Sequence, residues 1–289
     1  MKTFVLWFPS PRLPAVYGWI LAAGGVGALS ATTPVEWAME LTSWRGIFAG
    51  LAVMTLVVAG VIFLVVPDKP AAPHAGGWHD QWRGLVSIYT SRVFWRLAPI
   101  SLLVMSSHMA IQGLWAGPWL RDVAGLDRMV VADHLFWVAA GLVAGFFWLG
   151  TLAYRLNRLG VPLVAVSMGG VVIFMALQLV VVLGYTGATL PVWVGFGFFG
   201  TSANLSYAIL SQTFPRELAG RVNTALNLLV FVGAFAMQWG LGAVIGLWPA
   251  VGGGYAPTGY STAFGTVLIL QLAALGWYWF AGGGPDPEG

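Results

Sequence analysis

The sequence predicts an all-α, polytopic membrane protein with about eight transmembrane helices, and three observations carry that prediction. Only 8% of the 289 residues are charged while 58% are apolar, too few charges to cover a water-facing surface. Mean hydropathy is +0.82. Cutting the chain at its polar and turn-forming stretches leaves apolar runs of roughly 20 residues or more, the length a helix needs to cross a ~30 Å hydrocarbon core. Such runs are too continuous for the alternating strands of a membrane barrel.

The runs fall at about 13–39, 47–66, 93–120, 130–153, 161–183, 191–212, 222–248 and 262–281. Before the first, Thr3 to Phe8 is a short apolar stub stopped by Pro9 and Pro11, with no cleavage site behind it, so it reads as neither signal peptide nor span. The second ends at Pro67, and Pro162 and Pro191 sit where helices begin. Between the second and third runs, Pro67, Pro70 and Pro73 give way to Trp78, Trp82, Leu85, Val86, Tyr89 and Val93 at helical spacing, with Asp80, Arg83 and Ser87 interleaved. That pattern predicts a short amphipathic helix lying on the membrane face. The expected organisation is a two-span segment 1–66, a linker 67–92, a six-helix segment 93–281 and a tail 282–289.

The basic residues orient the chain. With the N-terminus inside, Lys2, Arg12, Lys69, Arg83, Arg92, Arg96, Arg155, Arg158, Arg216 and Arg221 lie inside, and only Arg45, Arg121 and Arg128 lie outside. This is the positive-inside asymmetry, so both termini are expected in the cytoplasm and the chain in the cytoplasmic membrane. Trp37, Trp44, Trp115, Trp119, Trp193 and Trp248 near outer ends, and Trp95, Trp148, Trp277 and Trp279 near inner ends, fit headgroup-level belts. The bases form no block or stripe, so no nucleic-acid partner is expected. The chain has no Cys and four scattered His, so no metal site and no cofactor are expected. No nucleophile elbow or phosphate-binding glycine loop occurs, and no enzyme is predicted.

Internal similarity adds a family. Phe8-Pro9 and Phe214-Pro215 each precede a basic turn and a Gly/Ala-rich helix, and Ile47-Phe48 and Ala263-Phe264 each open the span that follows. Six helices with their loops would fill the interval between the copies. Gly150, Arg155 and Arg158 stand between the fourth and fifth runs, with Tyr154 between them. The chain thereby resembles the major facilitator superfamily of secondary transporters, built from two six-helix halves. Gly150, Arg155 and Arg158 match that family's inner-loop signature, except that Tyr154 occupies its acidic position. The resemblance implies that the eight runs correspond to family helices five to twelve. The partial fold would then be two helices of the first half plus a complete second half, and the chain is expected to be an N-terminally truncated or partial one. The family's antiporter signature is not kept, since no Gly-Pro pair follows Gly24, Gly25 and Gly27.

Polar residues within apolar spans mark partners or cavities, because hydrocarbon penalises them. Ser101, His108, Gln112 and Trp115 share one helical face of the third run. On the sixth, Thr201, Asn204 and Ser211 share a face with Tyr207 adjacent, and the seventh adds Asn223, Asn227 and Gln238. The resemblance implies that the third and sixth runs line the central cavity. The expected substrate contacts are Ser101, His108, Gln112, Trp115, Thr201, Asn204, Tyr207 and Asn227, which favour a neutral, amphipathic or aromatic small solute. For coupling to a proton, the titratable candidates are His108, Glu36 and Asp133. Gly150, Arg155 and Arg158 are the expected cytoplasmic gating loop. Gly141 and Gly145, and Gly242 and Gly246, are spaced as helix-contact pairs. Two functions stay open: secondary transport by alternating access, or a non-transporting membrane module that needs self-association or a partner chain to replace the missing helices.

Overall fold

The structure is a computed structural model that describes residues 24, 27, 30, 31, 33–65, 78–250 and 252–280. Most of the expected first span, the proline-rich part of the linker and the tail lie outside these residues. Two compact units result, Met1–Gly77 and Trp78–Gly289. The boundary falls inside the expected 67–92 linker.

The first unit contributes α1 (Thr33–Leu41) and α2 (Trp44–Val65). Glu36 lies in the first turn of α1 and is half-buried. Arg45 stacks its guanidinium 4.3 Å from the Trp44 ring centroid at the start of α2, a cation–π pair suited to a membrane interface.

The second unit opens with α3 (Trp78–Tyr89), the expected amphipathic helix. Its Ile88 is buried. The long span that follows comprises α4 (Arg92–Ala110), a π-helical turn Ile111–Trp115 and α5 (Ala116–Asp122). Then come α6 (Arg128–Arg158), α7 (Leu163–Val182), α8 (Thr189–Gly200) with a 3-10 turn Thr201–Asn204 leading into α9 (Leu205–Thr213), α10 (Arg216–Ile245) and α11 (Pro257–Phe280). Among the described residues, six helices are long and apolar enough to cross a membrane. The run 189–213, broken only in winding by its 3-10 turn, matches the expected span 191–212.

Local chemistry explains the ends and irregularities. The Asp127 carboxylate caps α6 by accepting from the Met129 and Val130 amides, both at 3.0 Å. Gly160, at φ +89°, ends the turn beyond α6 in a left-handed conformation that suits only glycine well. Pro99 inside α4 has no N–H to offer the Trp95 carbonyl one turn back. The Trp277 indole of α11 takes that carbonyl instead at 2.8 Å. In the 3-10 turn, Thr201, Ser202 and Asn204 each donate a side-chain hydrogen bond to the carbonyl three residues earlier, at 2.8, 2.6 and 3.0 Å. Short polar side chains that bond their own backbone favour this tighter winding.

Small residues set the closest packing. A Cβ at Gly141 or Gly145 of α6 would run into the backbone of α8 at Val194 or Phe198, and one at Gly197 of α8 would run into Val138 of α6. This is the close approach that small-xxx-small spacing permits in a membrane. Gly242 of α10 likewise makes room for the Trp115 indole. Polar bridges tie the remaining helices. Ser106 donates to the Val230 carbonyl at 2.9 Å, Gln271 to the Ser107 hydroxyl at 2.7 Å, and Gln178 to the Phe264 carbonyl at 3.1 Å. Such bonds are worth about 0.6 kcal/mol each on average, so they register the helices more than they hold them.

Candidate solute-binding site

The polar face expected on the third span turns inward, into the second unit, at Ser101, His108 and Trp115. Ser101 is buried and bonds to the Ser206 hydroxyl of α9 at 2.7 Å and to its own Leu97 carbonyl. His108 is 5% exposed, with the rings of Phe174 and Phe196 centred 5.8 and 5.6 Å away. Gly200 leaves the space that its imidazole fills. Its Nε2 has no hydrogen-bond partner among the described residues. Around it an aromatic column runs through Phe174, Phe196, Trp193 and Trp119, with successive centroids 4.7, 5.3 and 5.4 Å apart.

Trp115 is also committed to packing. Its indole donates to the Gln238 carbonyl of α10 at 3.2 Å and meets Tyr255 and Tyr260 edge-on. Thr201 is buried where Gly145 brings α6 close. Gln112 is different. It lies in the π-helical turn, half-buried, beside exposed Gly113 and Leu114. A π turn inserts an extra residue into the helix and often marks a functional position.

A second polar group forms on α9 and α10. The Tyr207 hydroxyl donates to the Asn227 Oδ1 at 2.8 Å, and Asn227 is exposed while Tyr207 and Asn204 are half-buried. One turn from Asn227 on α10, Asn223 holds its Oδ1 buried without a hydrogen-bond partner among the described residues. Ser211 bonds back to the Tyr207 carbonyl at 2.7 Å on the same side of α9. From Leu218, where the apolar part of α10 begins, Asn227 is about 14 Å along the axis at 1.5 Å per residue. The structure therefore joins Tyr207 to Asn227, with Asn223 one turn away on α10 and Asn204 one turn before Tyr207, while it buries Ser101, His108, Thr201 and Trp115 in helix–helix contacts.

The basic signature is helical rather than a loop. Gly150, Arg155 and Arg158 occupy the last turns of α6, all exposed, and the connection to α7 is only 159–162. Arginines favour the C-terminal end of a helix dipole and reach water from there, so α6 outlasts its apolar run. Asp133 is exposed near the other end of α6. Beside it, His134 bonds to the Val130 carbonyl at 2.8 Å and the Thr189 hydroxyl at 3.0 Å.

Sequence reasoning missed Asp122. Its carboxylate is only 3% exposed although Arg121, at 2.7 Å, is mostly exposed. It accepts from the Tyr260 hydroxyl at 2.7 Å and the Tyr255 amide at 3.0 Å, and packs where Gly254 has no side chain. The carboxylate thus fastens the α10–α11 connection to the end of α5. Its only sequence signal is an acid beside a base at the end of a span, because its partners lie more than a hundred residues later.

Comparison with known proteins completes the picture. The family profile described as Major Facilitator Superfamily matches residues 1–237. No curated protein matches the chain. With long apolar helices across the described residues and a family match over most of its length, the chain belongs to the major facilitator superfamily and is an integral membrane transport protein.

Proposed function

We propose that the chain carries a small neutral, amphipathic or aromatic solute by alternating access, with Asn204, Tyr207, Asn223 and Asn227 as the solute contacts and Gln112, on the third span, as a further one. The observation that supports this reading is the Tyr207–Asn227 bond next to the unpartnered Asn223 Oδ1. Amide and hydroxyl groups held within the span of a membrane helix can exchange their mutual bonds for bonds to a solute. No fixed charge belongs to this group, which suits an uncharged solute. Ser101, His108, Thr201 and Trp115 act in this reading as packing residues, since their surroundings are neighbouring helices and rings.

The arginine-rich ends of α4 and α6 face the cytoplasm in the same proposal, following the positive-inside rule, and the membrane is the cytoplasmic one. Proton coupling belongs to the proposal too, with Glu36 and Asp133 as its titratable groups, while His108, enclosed by rings and helices, is left to packing. The test is uptake of labelled neutral, aromatic and amphipathic compounds into proteoliposomes holding the full chain, with and without an imposed proton gradient. Gradient-driven uptake of one compound, lost in Asn227→Ala and kept in Ser101→Ala, is the expected result. Uptake indifferent to Asn227 but abolished at Ser101 would contradict it.

A further inference from the structure

A cleft of about 200 Å³ opens at the arginine-rich end of the second unit, between α4, α7, α9 and α11. Its walls are Val93, Val164 and Ile209, with Arg96, Thr213 and Tyr278 at its polar edge. These residues stand at the first turns of α4 and α7 and the last turns of α9 and α11, the depth of the membrane interface. Two tryptophans mark the same level. Trp95 donates to the Tyr89 carbonyl at 2.7 Å, and Trp277 to the Trp95 carbonyl at 2.8 Å, with both indoles exposed, as interfacial indoles are.

Arg96 is half-committed. Its Nε donates to the Tyr278 carbonyl at 3.4 Å and its guanidinium lies 5.1 Å from the Tyr278 ring centroid. That leaves the two terminal amino groups of the fork, and no carboxylate is among the described residues that line the cleft. The planar fork matches a phosphate better than a point charge would. The positive end of α7 starts at the same mouth without a side-chain cap and adds to the attraction. At about 200 Å³ the space is smaller than the roughly 300 Å³ of a drug-sized pocket, and it is open along one side, which suits a chain that enters lengthwise.

We propose that this cleft binds one anionic phospholipid, its phosphate on Arg96 and an acyl chain along Val93, Val164 and Ile209. This site is separate from the polar group of α9 and α10 and does not depend on the solute reading. The test is native mass spectrometry of the purified full chain, titrated with phosphatidylglycerol or phosphatidylcholine in neutral detergent. The wild-type chain is expected to bind phosphatidylglycerol preferentially. Arg96→Gln should weaken that binding roughly fivefold, what one arginine is worth at an anionic surface. Ile209→Trp, which fills the apolar wall and leaves the charge, should also weaken it, while Arg92→Gln outside the cleft should not. Equal binding of the two lipids, an Arg96→Gln titration matching wild type, or displacement of the lipid by an equal concentration of inorganic phosphate would overturn the proposal. Should Arg96→Gln lose its thermal transition, undiminished binding by a folded Ile209→Trp would overturn it equally.

Discussion

The polar face of α4 and the polar group of α9 and α10 contain the same kinds of side chain and have opposite fates. Ser101 and His108 are buried against Ser206, Phe174, Phe196 and Gly200. Tyr207 and Asn227 bond to each other at a surface that α9 and α10 leave uncovered. Helical periodicity tells which residues share a face, but the neighbouring helices decide whether that face meets protein, lipid or solute. In hydrocarbon a polar residue gains by finding a partner, and the helix contact to Ser206 gives Ser101 one, whereas the His108 ring is held by aromatic packing with its Nε2 unpartnered among the described residues.

Four experiments would break or sharpen this contrast. The largest effect is expected at neither polar group but at the contact that holds the bundle: Gly197→Val forces a branched side chain against the backbone of α6. It should cost about 3 kcal/mol or more and strongly lower the thermal midpoint in detergent. Next is His108→Ala, which empties a packed aromatic site. It should cost about 2 kcal/mol in stability, as large-to-small core changes do, while leaving the KM of any transported solute unchanged. A KM change without destabilisation would move His108 into the solute path. Tyr207→Phe should do the reverse. Stability should hold within about 0.5 kcal/mol, while solute affinity falls several-fold through loss of the hydroxyl that positions Asn227. The smallest effect is expected for Trp277→Phe, which removes the bond to the Trp95 carbonyl freed by Pro99. About 0.6 kcal/mol of stability should go, with transport intact.

Much of the fold was legible in the sequence for one reason: spans are written in runs of apolar residues whose length the bilayer dictates. The amphipathic α3 was legible from its Trp82, Leu85 and Tyr89 spacing, and a close helix contact from Gly141 and Gly145, though not that α8 is the partner. Other features depend on partners distant in sequence. Asp122 looks like an ordinary helix-end acid until Tyr255 and Tyr260 fold back onto it. The helical continuation through Arg155 and Arg158 was missed because charged residues at the end of an apolar run read as a loop, although a helix can extend past the membrane. The burial of His108 depends on Gly200, more than ninety residues away, leaving room for an imidazole, and that of Ser101 on the Ser206 hydroxyl of α9.

The absence of native cysteine makes the central claim directly testable by single-cysteine labelling of the full chain in membranes with a water-soluble methanethiosulfonate, which reacts only where water reaches the thiol. The account predicts rapid modification of Asn227→Cys and Tyr207→Cys, and none of Ser101→Cys or His108→Cys. Modification at Ser101 or His108, with Asn227 and Tyr207 inert, would place the solute path inside the α4 face and contradict it.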